Sequence, residues 1–161
     1  MKKISYLFIS LILLINIGAC SGYKPIFSSS NLEFKIEDYS ITGNKKLGNQ
    51  IYSRLYNLSQ SAQNTSDKKN IFILINASKN KNVTAKDSAG KILSYKINLS
   101  INVTIRDFLT NNQILNENFS YSASYKVQDQ YSETIKLENR TIDNIVNKTY
   151  QDLLIKLSEN I

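Results

Sequence analysis

The chain of 161 residues contains no histidine, no tryptophan, one cysteine and one proline. Without histidine it lacks the commonest general base and metal ligand, and one cysteine forms neither an internal disulfide nor a cysteine-based zinc site. Carboxylates, lysines and tyrosines are present, but no recognisable catalytic motif groups them. We therefore expect that the protein is not an enzyme and that it carries no cofactor.

Long apolar runs are also absent, except at the N-terminus. There, Lys2 and Lys3 precede an almost unbroken apolar run, Ile4–Ile17, which Gly18 and Ala19 separate from Cys20. This layout is typical of a secretory signal, and the run is shorter than the roughly 20 residues of a membrane-spanning helix. A cysteine directly after the small residues predicts a lipoprotein, with residues 1–19 as signal peptide and a covalent lipid on Cys20. The alternative is an ordinary signal peptide followed by a cysteine by chance.

The residue after the cysteine indicates the compartment. Ser21 stands where an aspartate usually retains such lipoproteins at the inner membrane, so we expect lipid anchoring at the periplasmic side of the outer membrane. Residues 20–31 are then a lipidated tether, and residues 32–161 form a single domain. The formal net charge of the chain is +7. In that compartment a basic protein meets lipid headgroups and lipopolysaccharide phosphates, and not nucleic acid.

Apolar residues alternate from Leu32 to Ile41, with a slip near Glu37-Asp38, which predicts a strand with a bulge. The pattern then changes to helical spacing, and an amphipathic helix is predicted from Lys45 to about Ser61. Residues 61–70 lack a pattern and are predicted to form a loop.

Three further strands follow. The second, beginning at Ile71, is apolar on both faces and is predicted to be internal in its sheet. The third has apolar residues at every odd position from Leu93 to Ile105, with polar residues between them. The fourth continues on odd positions from Leu115 to Val127. The last two strands are therefore expected to have one dry and one wet face.

Parity also predicts the turns, because residues paired across two strands must face the same side. Between strands two and three, pairing Asp87 with Lys91 leaves a three-residue loop with Gly90 in the left-handed position. Between strands three and four, pairing Leu109 with Gln113 gives that position to Asn112.

A second amphipathic helix is predicted from about Ser132 to Glu159. Its apolar stripe contains seven residues: Ile135, Ile142, Ile145, Val146, Thr149, Leu153 and Leu157. The fold class is then an α/β two-layer sandwich of order β-α-β-β-β-α, with a four-stranded mixed sheet and both helices on one face.

Lysines follow the dry phase of the second strand, at Lys79 and Lys81. This suggests that the helices no longer cover the sheet there and that the hairpin projects. It carries five lysines near one end: Lys79, Lys81, Lys86, Lys91 and Lys96. Such a cluster suits lipid A phosphates or acidic core sugars through charge-assisted contacts. The alternative is a solvated hairpin edge that resists aggregation.

The start of the predicted mature chain resembles that of a known family. Gly22-Tyr23-Lys24-Pro25-Ile26-Phe27 near Cys20 is similar to the opening of the lipopolysaccharide-assembly lipoproteins of the LptE family, although Ser21 is inserted here. The segment Ile105–Phe108, with the turn Thr110–Asn112 and the exit Ile114-Leu115, looks like that family's hairpin between the third and fourth strands. Ser120–Val127 followed by Tyr131 resembles its approach to the long C-terminal helix.

The resemblance implies a non-enzymatic function. Members of this family are outer-membrane partners of the large β-barrel LptD, sit inside it as a plug and contact lipopolysaccharide during its delivery to the cell surface. Three alternatives remain open. They are an auxiliary lipoprotein of a lipid-transporting ABC system, a generic anchored periplasmic scaffold and a lipoprotein hydrolase.

Overall fold

The computed structural model describes residues 32–61 and 68–161. The predicted signal peptide, Cys20 and the tether of residues 20–31 lie outside these residues. In the described part of the chain no helix is long and apolar enough to cross a membrane. Four strands form one mixed sheet in the order β1-β2-β3-β4, with two helices packed against it, so the predicted fold class is confirmed.

Strand β1 spans Phe34–Gly43 and runs parallel to β2, which spans Lys69–Lys86. The register shifts between Ile36 and Asp38, which confirms the bulge predicted near Glu37. The bulge changes the phase of the strand. The Tyr39 ring therefore stacks on Tyr52 of the first helix, with ring centroids 3.9 Å apart.

Helix α1 spans Lys45–Ser61, as predicted. Asn44 caps its start, because the Asn44 side-chain oxygen accepts a hydrogen bond from the Leu47 amide at 3.2 Å. Gly48 lets the helix approach β1: a Cβ at this position would lie 2.4 Å from the Ile41 Cγ2 atom. The helix buries Leu47, Ile51 and Leu55 against the sheet.

Strand β3 spans Ile92–Asp107 and pairs antiparallel with β2, which is therefore internal in the sheet, as predicted. The β2–β3 turn is also as predicted. The Asp87 amide donates to the Lys91 carbonyl at 3.0 Å, and Gly90 has a φ of 83°.

Strand β4 spans Gln113–Lys126 and pairs antiparallel with β3. The predicted pairing of Leu109 with Gln113 is wrong, because Gln113 is the partner of Arg106. A register shift after Ile105 breaks the parity rule, so the loop need not hold an odd number of residues. The Asp107 amide donates to the Asn112 carbonyl at 2.8 Å, and Asn111, not Asn112, takes the left-handed position with a φ of 58°.

Helix α2 spans Tyr131–Ser158 and returns along the same face of the sheet as α1. It buries Ile145, Val146, Leu153 and Leu157. The two helices touch each other, and the Tyr150 hydroxyl donates to the Arg54 carbonyl at 3.5 Å. The other sheet face has no helix over it among the described residues.

The molecule has two distinct ends. At the hairpin end lie the β2–β3 turn and the start of α2, since the Val127 amide donates to the Leu93 carbonyl at 2.9 Å. At the tether end lie Leu32, where the described chain begins, and the β3–β4 turn. The β sheet places them together because Asn70, which pairs with Lys35 of β1, accepts a hydrogen bond from the Phe108 amide at 2.9 Å.

Candidate functional site at the hairpin end

The β2–β3 hairpin extends beyond the rest of the sheet. Strand β1 ends at the pair Gly43–Ala77, so from Ser78 to Lys86 the only described partner of β2 is β3. Residues from Ser78 to Lys91 are exposed. The predicted projection of this hairpin is therefore present, but its five lysines do not form one cluster.

Lys79 and Lys81 point towards helix α2. The Lys81 Nζ atom lies 2.6 Å and the Lys79 Nζ atom 3.6 Å from the two carboxylate oxygens of Glu138. The Tyr125 hydroxyl donates to the same carboxylate at 2.8 Å, and the Lys81 ammonium lies 4.2 Å from the centre of the Tyr95 ring. We refer to Lys79, Lys81, Tyr125 and Glu138 as the Glu138 cluster.

Lys79 and Lys81 are exposed, in agreement with the expectation that the helices leave this part of the sheet uncovered. Their ammonium groups nevertheless reach α2, where Glu138 pairs with both. With 28 residues, α2 is about 42 Å long and spans most of the sheet.

The charges in the Glu138 cluster stabilise one another. Partial burial by itself lowers the pKa of Lys81, but hydrogen bonds with Glu138 and Tyr125 outweigh it and raise this pKa above its ordinary value. Burial likewise raises the pKa of Glu138, and hydrogen bonds from Lys81 and Tyr125 outweigh it, so the net pKa is lowered. Both groups are therefore held in their charged forms at neutral pH.

The other three lysines lie elsewhere on the hairpin. Lys86 and Lys91 flank the turn, which the Asp87 carboxylate holds by accepting hydrogen bonds from the Ala89 amide at 3.0 Å and the Lys91 amide at 2.9 Å. Lys96 pairs with Asn82 and Ser124 on the sheet face opposite the helices. Lys86 and Lys91 are thus the two of the five lysines that lie beside the turn at the free end.

A cleft of about 570 Å³ lies between the hairpin and the start of α2. Its wall is mostly apolar and aromatic, and it includes Ile92, Tyr95, Val127, Tyr131 and Ile135. Lys81, Lys91 and Asp129 are its charged lining residues, and Lys81 is already paired with Glu138. An apolar cleft with cations at its edge suits an amphiphile that carries both an acyl chain and an anionic group.

Three solved structures resemble this arrangement of strands and helices. The fold is that of bacterial lipoproteins. A Caulobacter crescentus protein described as a lipoprotein has a TM-score of 0.53 and 13% identity, with 77% of this chain and 88% of that chain covered. A minor lipoprotein of Acinetobacter baumannii has a TM-score of 0.51 and 14% identity, with 79% and 94% covered. Lipoprotein B of Nitrosomonas europaea has a TM-score of 0.53 and 14% identity, with 83% and 88% covered.

At these identities the likeness extends to the fold alone. No protein-family model matches the sequence, and no curated protein matches it.

The exposed sheet face is polar and almost uncharged at its centre. Ser100 donates to the Asn118 side-chain oxygen at 3.0 Å, Ser120 donates to Ser100 at 3.1 Å, and Thr104 donates to Asn116 at 3.1 Å. The hydrogen-bonding groups of these side chains are therefore largely paired with one another. The face therefore suits contact with water or with another uncharged polar surface more than capture of an ion.

The described residues contain no group of three or more acidic, cysteine or histidine side chains that would hold a metal ion. The expectation that the protein is not an enzyme remains a prediction.

Sequence reasoning overlooked Glu138 and the cleft, although signals for both were present. Glu138 lies three residues after Ile135 and four before Ile142, within the apolar stripe of the helix. A carboxylate in that stripe and lysines in the dry phase of a strand indicate an ion pair between the two layers. Tyr131 and Ile135 begin the same helix and point to an apolar surface near the turn.

Proposed function

We propose that the chain is an outer-membrane lipoprotein of the LptE type, which partners an LptD-type β-barrel in lipopolysaccharide assembly and transport to the cell surface. The observation that carries the proposal is the occurrence of three features in one chain. A cysteine stands in a lipoprotein-signal setting, the motif Gly22–Phe27 follows, and the β-α-β-β-β-α domain comes next in the same chain. The likeness in fold to bacterial lipoproteins supports it.

The geometry adds a role for the hairpin end. Lys86 and Lys91 are exposed beside the turn, and Lys91 also lines the cleft with apolar walls. Lipid A carries phosphates and acyl chains on one molecule, so both features match its chemistry. Within this proposal the hairpin end contacts lipopolysaccharide, with Lys86 and Lys91 as principal cations and Lys96 on the adjacent face. Lys79 and Lys81 contribute less, because Glu138 already neutralises part of their charge.

The test of the partnership is an affinity purification of the intact lipoprotein, tagged after Ile161, from detergent-solubilised outer membrane. We expect an LptD-type barrel to co-purify, and we expect mass spectrometry of the N-terminal peptide to show acylated Cys20. A second tagged lipoprotein of the same membrane is the control for non-specific capture.

Two outcomes would contradict the proposal. Recovery of an ABC permease in place of a barrel would favour the auxiliary-lipoprotein alternative. Recovery of the lipoprotein alone, under conditions in which the barrel remains folded, would contradict the proposed partnership.

A further inference from the structure

The β3–β4 turn at the tether end presents two adjacent large apolar side chains to solvent. Leu109 is 81% exposed and Phe108 is 48% exposed. Single exposed apolar residues are common on protein surfaces, but two side by side at the apex of a tight turn form a small apolar point. We refer to Phe108 and Leu109 as the apolar tip.

The backbone of this turn satisfies its amide donors internally. The Asp107 side chain accepts from the Leu109 amide at 3.0 Å and the Thr110 amide at 2.8 Å. The Phe108 amide donates to the Asn70 carbonyl at 2.9 Å, and the Asn111 amide donates to the Asp107 carbonyl at 2.9 Å. Because an unpaired amide costs several kcal/mol in an apolar medium, such a turn enters that medium at much lower cost than an open loop.

Charged groups lie directly beneath the apolar tip. Hydrogen bonds from Thr110, chiefly from its amide, lower the pKa of Asp107, and the positive charge of Lys69 contributes. Arg106 stands beside Asp107, with its Nη1 atom 3.5 Å from the Asn111 side-chain oxygen. The Arg106 Nε atom is buried without a hydrogen-bond partner among the described residues. A rim of polar and charged groups, with the carboxylate of Asp107 next to the guanidinium of Arg106, under an apolar point matches the layering of a bilayer interface.

The apolar tip also lies where the membrane anchor would be. It shares the tether end with Leu32, two strands away, and neighbouring strands are about 4.8 Å apart. The chain from Cys20 to Leu32 reaches at most about 40 Å when fully extended. A lipid on Cys20 would therefore keep the apolar tip within reach of the same leaflet, whereas the lysines of the hairpin end are at the far end of the sheet.

We propose that the apolar tip inserts into the interface of the bilayer that holds the acyl chains of Cys20, as a second membrane contact that orients the domain. The inference rests on the lipid anchor of the proposed function but not on the barrel partner, and it concerns the lipoprotein before it enters the barrel. In this orientation the tether end faces the leaflet and the hairpin end points away from it.

The absence of tryptophan makes a direct test possible. The full-length lipoprotein with Leu109→Trp is reconstituted into phosphatidylethanolamine and phosphatidylglycerol vesicles whose acyl chains are brominated. We expect a blue-shifted emission and strong quenching. The matched control is Ala89→Trp, an exposed position in the β2–β3 turn at the opposite end, for which we expect neither effect. Adding Phe108→Ser to Leu109→Trp should lower the partition of the apolar tip into lipid about tenfold.

Vesicle flotation distinguishes the ways in which the proposal can fail. If both tryptophan variants float and are quenched equally or not at all, the apolar tip does not insert, and the anchor is unaffected. If neither variant floats, both the lipid anchor and the insertion are overturned. No barrel is present in these vesicles, so neither result depends on the barrel partnership.

Discussion

At the scale of single residues, Glu138 explains how charged side chains are accommodated at positions where the sequence pattern predicts apolar ones. Glu138 lies in the apolar stripe of α2, and Lys79 and Lys81 continue the buried phase of β2. Its side chain is 13% exposed and accepts hydrogen bonds from Lys81 and Tyr125. It lies near Lys79 as well. One carboxylate thereby compensates two lysines that would otherwise lie beside the helix without a counter-charge. Removing one member of such a charge pair is destabilising, because the remaining charge is then partly buried without a counter-charge.

Glu138→Gln should therefore destabilise the fold by about 1–3 kcal/mol at neutral pH, because it leaves two lysines beside an uncharged amide. The folded-state pKa of Glu138 is lowered, so its contribution is present above the unfolded pKa and is lost as the pH falls through the folded pKa. Urea unfolding of the intact lipoprotein in detergent should show the gap between parent and variant shrinking below about pH 4.

The control is Glu133→Gln on the same helix, where the carboxylate is 49% exposed and pairs with Lys136. That change should alter the free energy of unfolding by less than about 0.5 kcal/mol. An equal loss in both variants, or a gap for Glu138→Gln that is constant with pH, would mean that the Glu138 cluster does not stabilise the fold as described.

At the scale of elements, the close approach of α1 to β1 depends on one missing side chain. Gly48 is buried in the first turn of the helix and faces Ile41 of β1. Glycine is a poor helix former, so its presence here has a packing reason. The aromatic stack of Tyr39 on Tyr52 lies along the same contact and depends on the same spacing.

Gly48→Ala should accordingly lower the free energy of unfolding by about 1–3 kcal/mol, although alanine is the better helix former by about 1 kcal/mol. The reason is that its Cβ would lie 2.4 Å from Ile41 Cγ2, so the helix must shift away from the strand. Thermal or urea unfolding measures this. Asn49→Ala, at the next and exposed position, should be neutral or slightly stabilising. A stabilised Gly48→Ala variant would show that the helix and strand separate without cost.

At the scale of the whole molecule, the two ends differ in chemistry. The tether end carries the apolar tip beside the start of the described chain, and the hairpin end carries exposed lysines beside an apolar cleft. The sheet and α2 hold these ends apart, since α2 alone is about 42 Å long. The proposed lipid anchor and the proposed lipopolysaccharide contact are thus on opposite ends of one rigid domain.

This placement predicts that charge reversal at the hairpin end weakens lipopolysaccharide binding. The double variant Lys86→Glu, Lys91→Glu should bind more weakly at low salt, with the difference shrinking as salt rises. Lys45→Glu, Lys46→Glu is the matched control, because these exposed lysines begin α1 and the charge change is the same. Binding of purified variants to immobilised lipopolysaccharide is the measurement.

Reversal of all five lysines is not a useful test, since glutamates at positions 79 and 81 would face Glu138 and destabilise the fold. Equal binding of lipopolysaccharide by the two double variants would contradict the proposed role of Lys86 and Lys91. It would not affect the proposed partnership with the barrel.

Much of the fold could be predicted from the sequence because its signals are local. Strict alternation from Leu93 to Ile105 is possible only in a strand, and the spacing within Lys45–Ser61 only in a helix. The bulge at Glu37 and the turn ending at Gly90 were likewise predictable. Each depends on the phase of a few neighbouring residues or on the backbone freedom of one glycine.

Only the tertiary structure decided which residues meet across elements. The β3–β4 register differs from the prediction by two residues, since Ile105 pairs with Leu115 and not with Glu117, and parity permits either pairing. A further shift after Ile105 changes the length of the loop, and parity does not record such a shift. The five lysines are in three places, because Glu138, far away in the chain, pairs with two of them at the side of α2. Periodicity states which face a side chain takes, but the partner on that face is set by the packing of the helices on the sheet.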